Sequence, residues 1–371
     1  MRLKRLERWW RQLWIRILVQ LMRRPSDGEG PRWSAGAHRV LFLRHDRAGD
    51  MIVSTGVMRA IARSHPTITM DVLASPANAE ILAGASYVQD VILFDRKRIA
   101  RYPATMARLR RARYDAVIDC MVTAPSVTTL LLILASGARF RIGIAGRGND
   151  AAFNITVPAD DRANAHMVDL LSALGTAFEV NPREVERRPT LEVTDAERTR
   201  ALEAWGSNDG ARRVLVNISA GSAERVWPES SYAAVVERVH ARDPNAVVRI
   251  IAAPTEQNRA RSIAQRGGAT VVQTPSIRDA FALVATADLV VTPDTSITHA
   301  ASAFRTPSVV LFVRGKAERW GLYDTPGANI EHTEGTLATL PTDRVLAALE
   351  EQLDRPVERG RVGDASLGKT R

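Results

Sequence analysis

The feature that most constrains this chain is an alternation, run through twice, of short apolar segments with longer stretches whose apolar residues recur at helical spacing. In the first run, residues 39–43, 69–73, 88–93 and 116–119 read as strands, with helices over 51–63, 77–83 and 99–113. The strands are continuous apolar runs rather than two-residue alternations, so both of their faces are buried. Strand, helix, strand in regular succession means a parallel sheet covered on both sides. The pattern weakens over 147–164, and a charged, turn-rich stretch covers 181–213. It then restarts, with strands at 214–217, 247–251, 270–273, 289–292 and 308–312 and helices at 231–242, 256–266, 277–286 and 295–304. The expected architecture is α/β, with two Rossmann-like, doubly wound domains over 37–185 and 211–335. A C-terminal helix over 336–354 and a polar, mobile tail over 355–371 follow.

The 371 residues suffice for two such domains, and 45% hydrophobic with 25% charged residues is ordinary globular composition. Disorder, collagen and coiled coil are excluded as descriptions of the whole. The single cysteine, Cys120, excludes a disulfide framework and fits a reducing compartment, and no Cys/His spacing of a structural zinc site occurs. Apolar stretches such as 130–135 fall far short of the ~20 residues that span a bilayer.

The net charge of +10 is unevenly placed. Residues 1–24 hold eight Lys and Arg against Glu7 alone, so the rest of the chain carries only +3. The same segment contains Trp9, Trp10 and Trp14 among aliphatic residues. Cations mixed with tryptophans suit a helix lying in the interface of an anionic leaflet; an amphipathic helix packed on its own protein is the other reading. Charges interrupt every apolar run, so it is not a secretory signal. Charge gathered at one terminus also argues against a folded nucleic-acid face. A Gly/Pro/Ser-rich break over 25–36 separates this segment from the first strand. A second basic stretch, 96–113, has eight cations and no acid among them. It reads either as a solvated helix face or as a surface for an anionic, lipid-linked sugar.

Ligands of doubly wound sheets sit beyond the carboxyl ends of strands, which directs the search to the loops there. A phosphate-loop pattern at Gly363, Gly368, Lys369 and Thr370 is discounted, because no strand delivers it and no helix follows. The first candidate is the loop Arg44-His45-Asp46-Arg47-Ala48-Gly49-Asp50. Gly49 is expected to take a tight turn, and Asp50 at the helix start can cap N–H groups or act as a base. The second is Ser219 to Pro228, where small residues admit an anion and Arg225 supplies a charge for phosphate. The third is Thr292 to His299. There Asp294 or Thr295 caps a helix whose first amides, near Ser296, form an anion site. Asp294 itself orders the loop or holds a hydroxyl, since a carboxylate repels phosphate. His299 lies one turn further on. Glu256, after the next strand, is placed where acidic residues bind ribose hydroxyls. No Asp-x-Asp pair occurs, so no metal and no other cofactor is expected.

These residues resemble glycosyltransferase family 9, the heptosyltransferases of lipopolysaccharide core assembly. The likeness runs from Val40 to Tyr323. It rests on the R-x-D-x-x-G-D-x-x-x-[ST]-T opening from Arg44 to Thr55, the [KR]-x-W-P segment from Arg225 to Pro228, and the A-D-L-V-V-T-x-D-[TS]-x-x-x-H run from Ala287 onward with its following T-P strand. Gly56 stands where the family often has proline, and Ser296 where many members have glycine. The resemblance implies a GT-B fold, two domains facing across a cleft, and inverting transfer of heptose from ADP-heptose to an anionic lipopolysaccharide-precursor acceptor at the cytoplasmic face of the inner membrane. Asp50 then matches the base and Arg225 the phosphate ligand. Ser219, Glu256, Asp294, Thr295, Ser296 and His299 fall on the donor side. Arg44, His45, Arg47, Gly49 and Thr55 are the acceptor-side candidates. A same-fold transferase of another sugar, or one with a protein acceptor, and a non-catalytic basic surface protein are the alternatives.

Overall fold

The computed structural model describes residues 2–22, 31–122, 126–146, 150–158, 165–206 and 210–357. The discounted phosphate-loop pattern at 363–370, most of the tail, and residues 1, 23 and 24 of the basic segment lie outside these. The chain divides into two compact units, Met1–Arg187 and Arg188–Arg371.

The first unit contains α1 (Arg2–Met22), β1 (His38–Arg44), α2 (Ala48–Ser64), β2 (Ile68–Ala74), β3 (Asp90–Leu93), α3 (Tyr102–Ala112), β4 (Ala116–Asp119), α4 (Val127–Ser136), β5 (Phe140–Ile144), β6 (Ile155–Val157) and α5 (Met167–Ser172). Its strands pair in parallel in the order β3-β2-β1-β4-β5-β6. On one face, Leu41, Leu43, Leu73 and Val117 form a core with Leu18 and Met22 of α1, Leu109 of α3, and Leu130 and Ile133 of α4. α2 packs against α5 elsewhere in the unit. Where a helix was expected over 77–83 there is only a 3₁₀ turn, Ala79–Leu82. The side chain of Asn78 binds the carbonyl of Arg44 instead of capping a helix. The expected helix over 99–113 opens as a 3₁₀ turn, Ile99–Arg101, and becomes α-helical only at Tyr102, with proline in its first turn.

The second unit contains α6 (Asp195–Trp205), β7 (Arg213–Asn217), α7 (Glu229–Arg242), β8 (Val247–Ile251), α8 (Gln257–Gly267), β9 (Thr270–Val271), α9 (Ile277–Thr286), β10 (Leu289–Pro293), α10 (Ser296–Phe304), β11 (Ser308–Val313), α11 (Ala317–Trp320), β12 (Gly327–His332) and α12 (Thr342–Leu353). Its sheet runs β12-β11-β10-β7-β8-β9, again parallel throughout. α6 falls in the stretch read from sequence as turn-rich. A capping box starts it: Thr194 Oγ1 accepts from the Glu197 N–H, and the Glu197 carboxylate accepts from the Thr194 N–H. The Glu197 carboxylate also takes two bonds from Arg278 of α9, and this pairing pulls its pKa down to about 2.

Renumbered within its own unit, each sheet has the strand order 3-2-1-4-5-6 of a doubly wound fold. The winding reverses between β1 and β4 in the first unit and between β7 and β10 in the second. Loops leaving those strands at their carboxyl ends therefore diverge, and each divergence leaves room for a ligand.

Candidate active site

In the first unit the side chain of Arg44 organises the switch point. It ends β1, is fully buried, and its Nε donates to the Asp50 carbonyl at 2.8 Å. Nη1 donates to the carbonyl of Cys120, beyond the end of β4, and Nη2 lies 3.4 Å from the Asp50 carboxylate. Asp46 is on the same guanidinium, 3.5 Å from Nε, in ion-pair range without the geometry of a hydrogen bond. Burial pushes the Asp46 carboxyl up to about 6, with the Asp50 charge adding and Arg44 opposing. Asp119, at the end of β4, is pushed up to about 7 by burial, although its Oδ1 accepts from the Met121 N–H. A fully buried cation thus pairs with two carboxylates, Asp46 and Asp50, and its charge also reaches a third, Asp119. Sequence singled out only Asp50 among them.

The loop is stitched to its neighbour by two side chains that sequence did not flag. Asn78 Nδ2 donates to the Arg44 carbonyl at 2.9 Å, and Ser75 Oγ donates to the Asp46 carbonyl at 2.9 Å. These polar residues follow β2, and nothing in their spacing announces a tie to β1.

The other acceptor-side candidates are placed as follows. α2 begins at Ala48, so its N-cap is Arg47, which makes no side-chain cap bond, and Asp50 lies inside the first turn. The expected tight turn at Gly49 is absent: Gly49 is helical and is not among the residues with positive φ. Arg47 is exposed at the helix start. Thr55 is buried in α2 and donates to the Ile52 carbonyl, so it faces the packing of the helix. His45 is buried edge-on to Phe94; burial, with Arg96 and Arg44 nearby, holds its imidazole down at about 4 and therefore neutral at pH 7.

In the second unit Asn217, at the end of β7, bridges the switch point. Its Nδ2 donates to Thr292 Oγ1 at 2.9 Å and to Thr295 Oγ1 at 3.2 Å, and its Oδ1 accepts from the Ser219 N–H. A polar residue closing an apolar strand has no distinctive spacing, so Asn217 is not legible as a site residue in the sequence. Ser219 in turn accepts from the Ala253 N–H at 2.7 Å, tying the loop after β7 to the one after β8. Trp227 is fully buried, donates to the Leu340 carbonyl and meets Tyr232 edge-on, and Pro228 starts α7. This anchored W-P pair presents Arg225, whose Nη1 binds the Asp294 carbonyl and stands 3.1 Å from its carboxylate.

Thr295 is the N-cap of α10, its Oγ1 accepting from the Ile297 N–H at 3.3 Å. Ser296 follows at the first helical position, half-buried beside Thr295. His299 is buried one turn further on, with its ring against Trp320. Glu256 closes a 3₁₀ turn and pairs with Arg259 at 3.3 Å. Arg259, also unflagged, binds the Trp227 carbonyl and so adds a second cation beside the Arg225 loop. Ser219, Arg225, Asp294, Thr295 and Ser296 thus gather at one switch point, with Glu256 on the neighbouring loop and His299 inside the helix. Among the described residues no group of three or more His, Cys, Asp or Glu side chains is gathered to hold a metal ion.

Two parallel, doubly wound units, one with a basic loop beside a helix start and the other with carboxylates at its own switch point, are the parts of a glycosyltransferase of the GT-B type, the class to which the family match below assigns the chain. Solved structures agree on the fold. A glycosyl transferase family 9 protein of Veillonella parvula superposes with a TM-score of 0.75 at 16% identity, over 86% of this chain and 98% of that one. The ADP-heptose lipopolysaccharide heptosyltransferase II of Escherichia coli gives 0.69 at 20%, over 85% and 98%, and the E. coli heptosyltransferase WaaC with ADP gives 0.68 at 19%, over 85% and 99%. No curated protein matches in sequence. The chain belongs to glycosyltransferase family 9 (heptosyltransferase), whose profile matches residues 104–345.

Proposed function

We propose that this protein transfers a heptose from ADP-heptose to an anionic, lipid-linked inner-core acceptor of lipopolysaccharide, with inversion at the anomeric carbon. The observation that carries this reading is the gathering of Arg225, Thr295 and Ser296 at the switch point of the second unit. A guanidinium and the first-turn amides of a helix together suit the two phosphates of a nucleotide sugar. The E. coli relatives with ADP and with ADP-2-deoxy-2-fluoro heptose support an adenosine diphosphate sugar as donor.

In this reading Asp50 takes the proton of the acceptor hydroxyl as that oxygen attacks the anomeric carbon. The bond to the diphosphate breaks, and the charge left on ADP is met by Arg225 and the amide of Ser296. Arg44 holds the Asp50 carboxylate in place and Asp294 holds Arg225, so each reacting group has a fixed partner. No metal or other cofactor is assigned a part. The acceptor is reached at the cytoplasmic face of the inner membrane, where α1 lies on the bilayer. No helix among the described residues is long and apolar enough to cross it.

The test is product analysis by mass with a panel of ADP- and UDP-sugars and a truncated, detergent-solubilised lipopolysaccharide acceptor. Transfer of one heptose from ADP-heptose is expected. Transfer of another sugar in preference, or to a protein, would move the chain to a different substrate within the family. Failure of every nucleotide sugar to bind would remove the donor reading.

A further inference from the structure

α1 is apolar on two sides and packs with only one. Leu18 and Met22 are buried in the core shared with α4, and Ile15 and Val19 pack against it. Trp10, Trp14, Ile17 and Leu21 recur every three or four residues along a different stripe, and are 48%, 51%, 38% and 71% exposed, with Trp9 beside them at 55%. Aromatic and aliphatic side chains left in water on a helix already docked elsewhere need a second partner.

α4 packs between α1 and α3, and all three contribute to the core over the same face of the first sheet. They form one layer of the unit. The outer side of that layer adds exposed Leu134 on α4, and exposed Leu93 and Ile99 flank the approach to α3. The same approach and α3 itself bear exposed Arg96, Lys97, Arg101, Arg110, Arg111 and Arg113, none of which has an ion-pair partner among the described residues. Their neighbours Arg98 and Arg108 are paired, with Asp95 and Asp90.

We infer that the α1–α4–α3 layer is a single docking face for an anionic phospholipid bilayer. The α1 stripe enters the interface, and the cations at and before α3 contact lipid phosphates. Tryptophans and leucines beside unpaired cations match the two levels of a leaflet surface, apolar below and anionic above. This assigns the basic stretch, apart from Arg96 beside His45, to the bilayer and not to the acceptor's own charges. It rests on the reading that α1 lies on the membrane and extends that reading to a second element. Truncating residues 1–24 is a poor test, because it also strips Leu18 and Met22 from the core.

The experiment is cosedimentation of the full chain with vesicles of phosphatidylcholine alone or mixed with phosphatidylglycerol, at low and high salt. Two variants are compared, Trp10→Glu with Trp14→Glu, and Lys97→Glu with Arg101→Glu and Arg111→Glu; all five side chains are exposed, and melting curves check the fold. Wild type should prefer the anionic vesicles. The α3 variant should bind them roughly 10²-fold more weakly at low salt, and the gap should close as salt screens the charges. The tryptophan variant should lose binding at both salt concentrations. Wild-type affinity in the α3 variant overturns the composite face and leaves α1 acting alone. Wild-type affinity in the tryptophan variant overturns the α1 reading itself. A concentration-dependent dimer of wild type that the tryptophan variant abolishes, without vesicle binding, overturns both in favour of a contact between copies of this chain.

Discussion

Asp294 holds Arg225 twice, through its backbone carbonyl and through a carboxylate 3.1 Å from Nη1, and both side chains are largely withdrawn from solvent. The guanidinium is aimed before any anion arrives, while its Nε and Nη2 have no partner among the described residues. Because the aiming contact uses one nitrogen, a phosphate can add to the pair without displacing it. Pre-aimed donors lose less side-chain entropy on binding than free ones.

Arg225→Ala should therefore weaken ADP by about 1.5–3 kcal/mol, the range for a charge-assisted hydrogen bond. Isothermal titration of the folded variant checks this. Wild-type ADP affinity would place the diphosphate elsewhere.

Asp50→Asn keeps the size of the side chain and a carbonyl oxygen for Arg44, but removes basicity. It should fold, bind ADP-heptose normally and lose turnover by roughly 10²–10⁴-fold. The structure leaves no cap bond to confound the result, since the N-cap of α2 is Arg47. A kcat within about threefold of wild type would leave the proton to another group.

Asp119 should make stability fall as pH rises. Its folded carboxyl titrates near 7 against 3.8 in the unfolded chain, so between those values the folded state keeps a proton the unfolded state has released. Asp119→Asn has no such proton, so it should gain on wild type across that window, by at least about 1 kcal/mol between pH 4 and pH 8. Denaturant melts at several pH values read this directly. A pH-independent difference would show that the Asp119 carboxyl keeps its ordinary pKa in the folded chain.

Glu197 behaves in the opposite sense. Its folded pKa of about 2 against 4.5 means a contribution fully present above about 4.5 and lost as pH falls toward 2. Glu197→Gln should cost about 3 kcal/mol at pH 7, because Arg278 is left largely buried without its charge partner. The deficit should shrink on acidification. A surface-like loss of under about 1 kcal/mol would show that the pair is solvent-screened.

How much was legible in the sequence depended on how local the signal was. The strands over 116–119 and 247–251 and the helix over 277–286 were readable to the residue, because an apolar run or a helical stripe between polar breaks is a property of neighbouring residues. The double βα alternation, and with it two parallel sheets, followed from that periodicity alone, as did the three loops worth searching. Elements with weak local pattern were not legible. α6 has almost no apolar stripe and is started by the Thr194–Glu197 box, and β6 and β12 are edge strands held by a single neighbour.

What only the tertiary structure decided is which side chains share a site. Strand order 3-2-1-4-5-6 makes β1 the neighbour of β4 and β7 the neighbour of β10. That adjacency brings Asp119 and Cys120 to Arg44, and Thr292 and Thr295 to Asn217, across about 75 residues of chain in each case. Burial, which sets the charge state of Asp46, Asp119 and His45, is likewise created only when the sheets and helices close over them. Periodicity encodes which face of an element turns inward; it carries no record of what that face will meet.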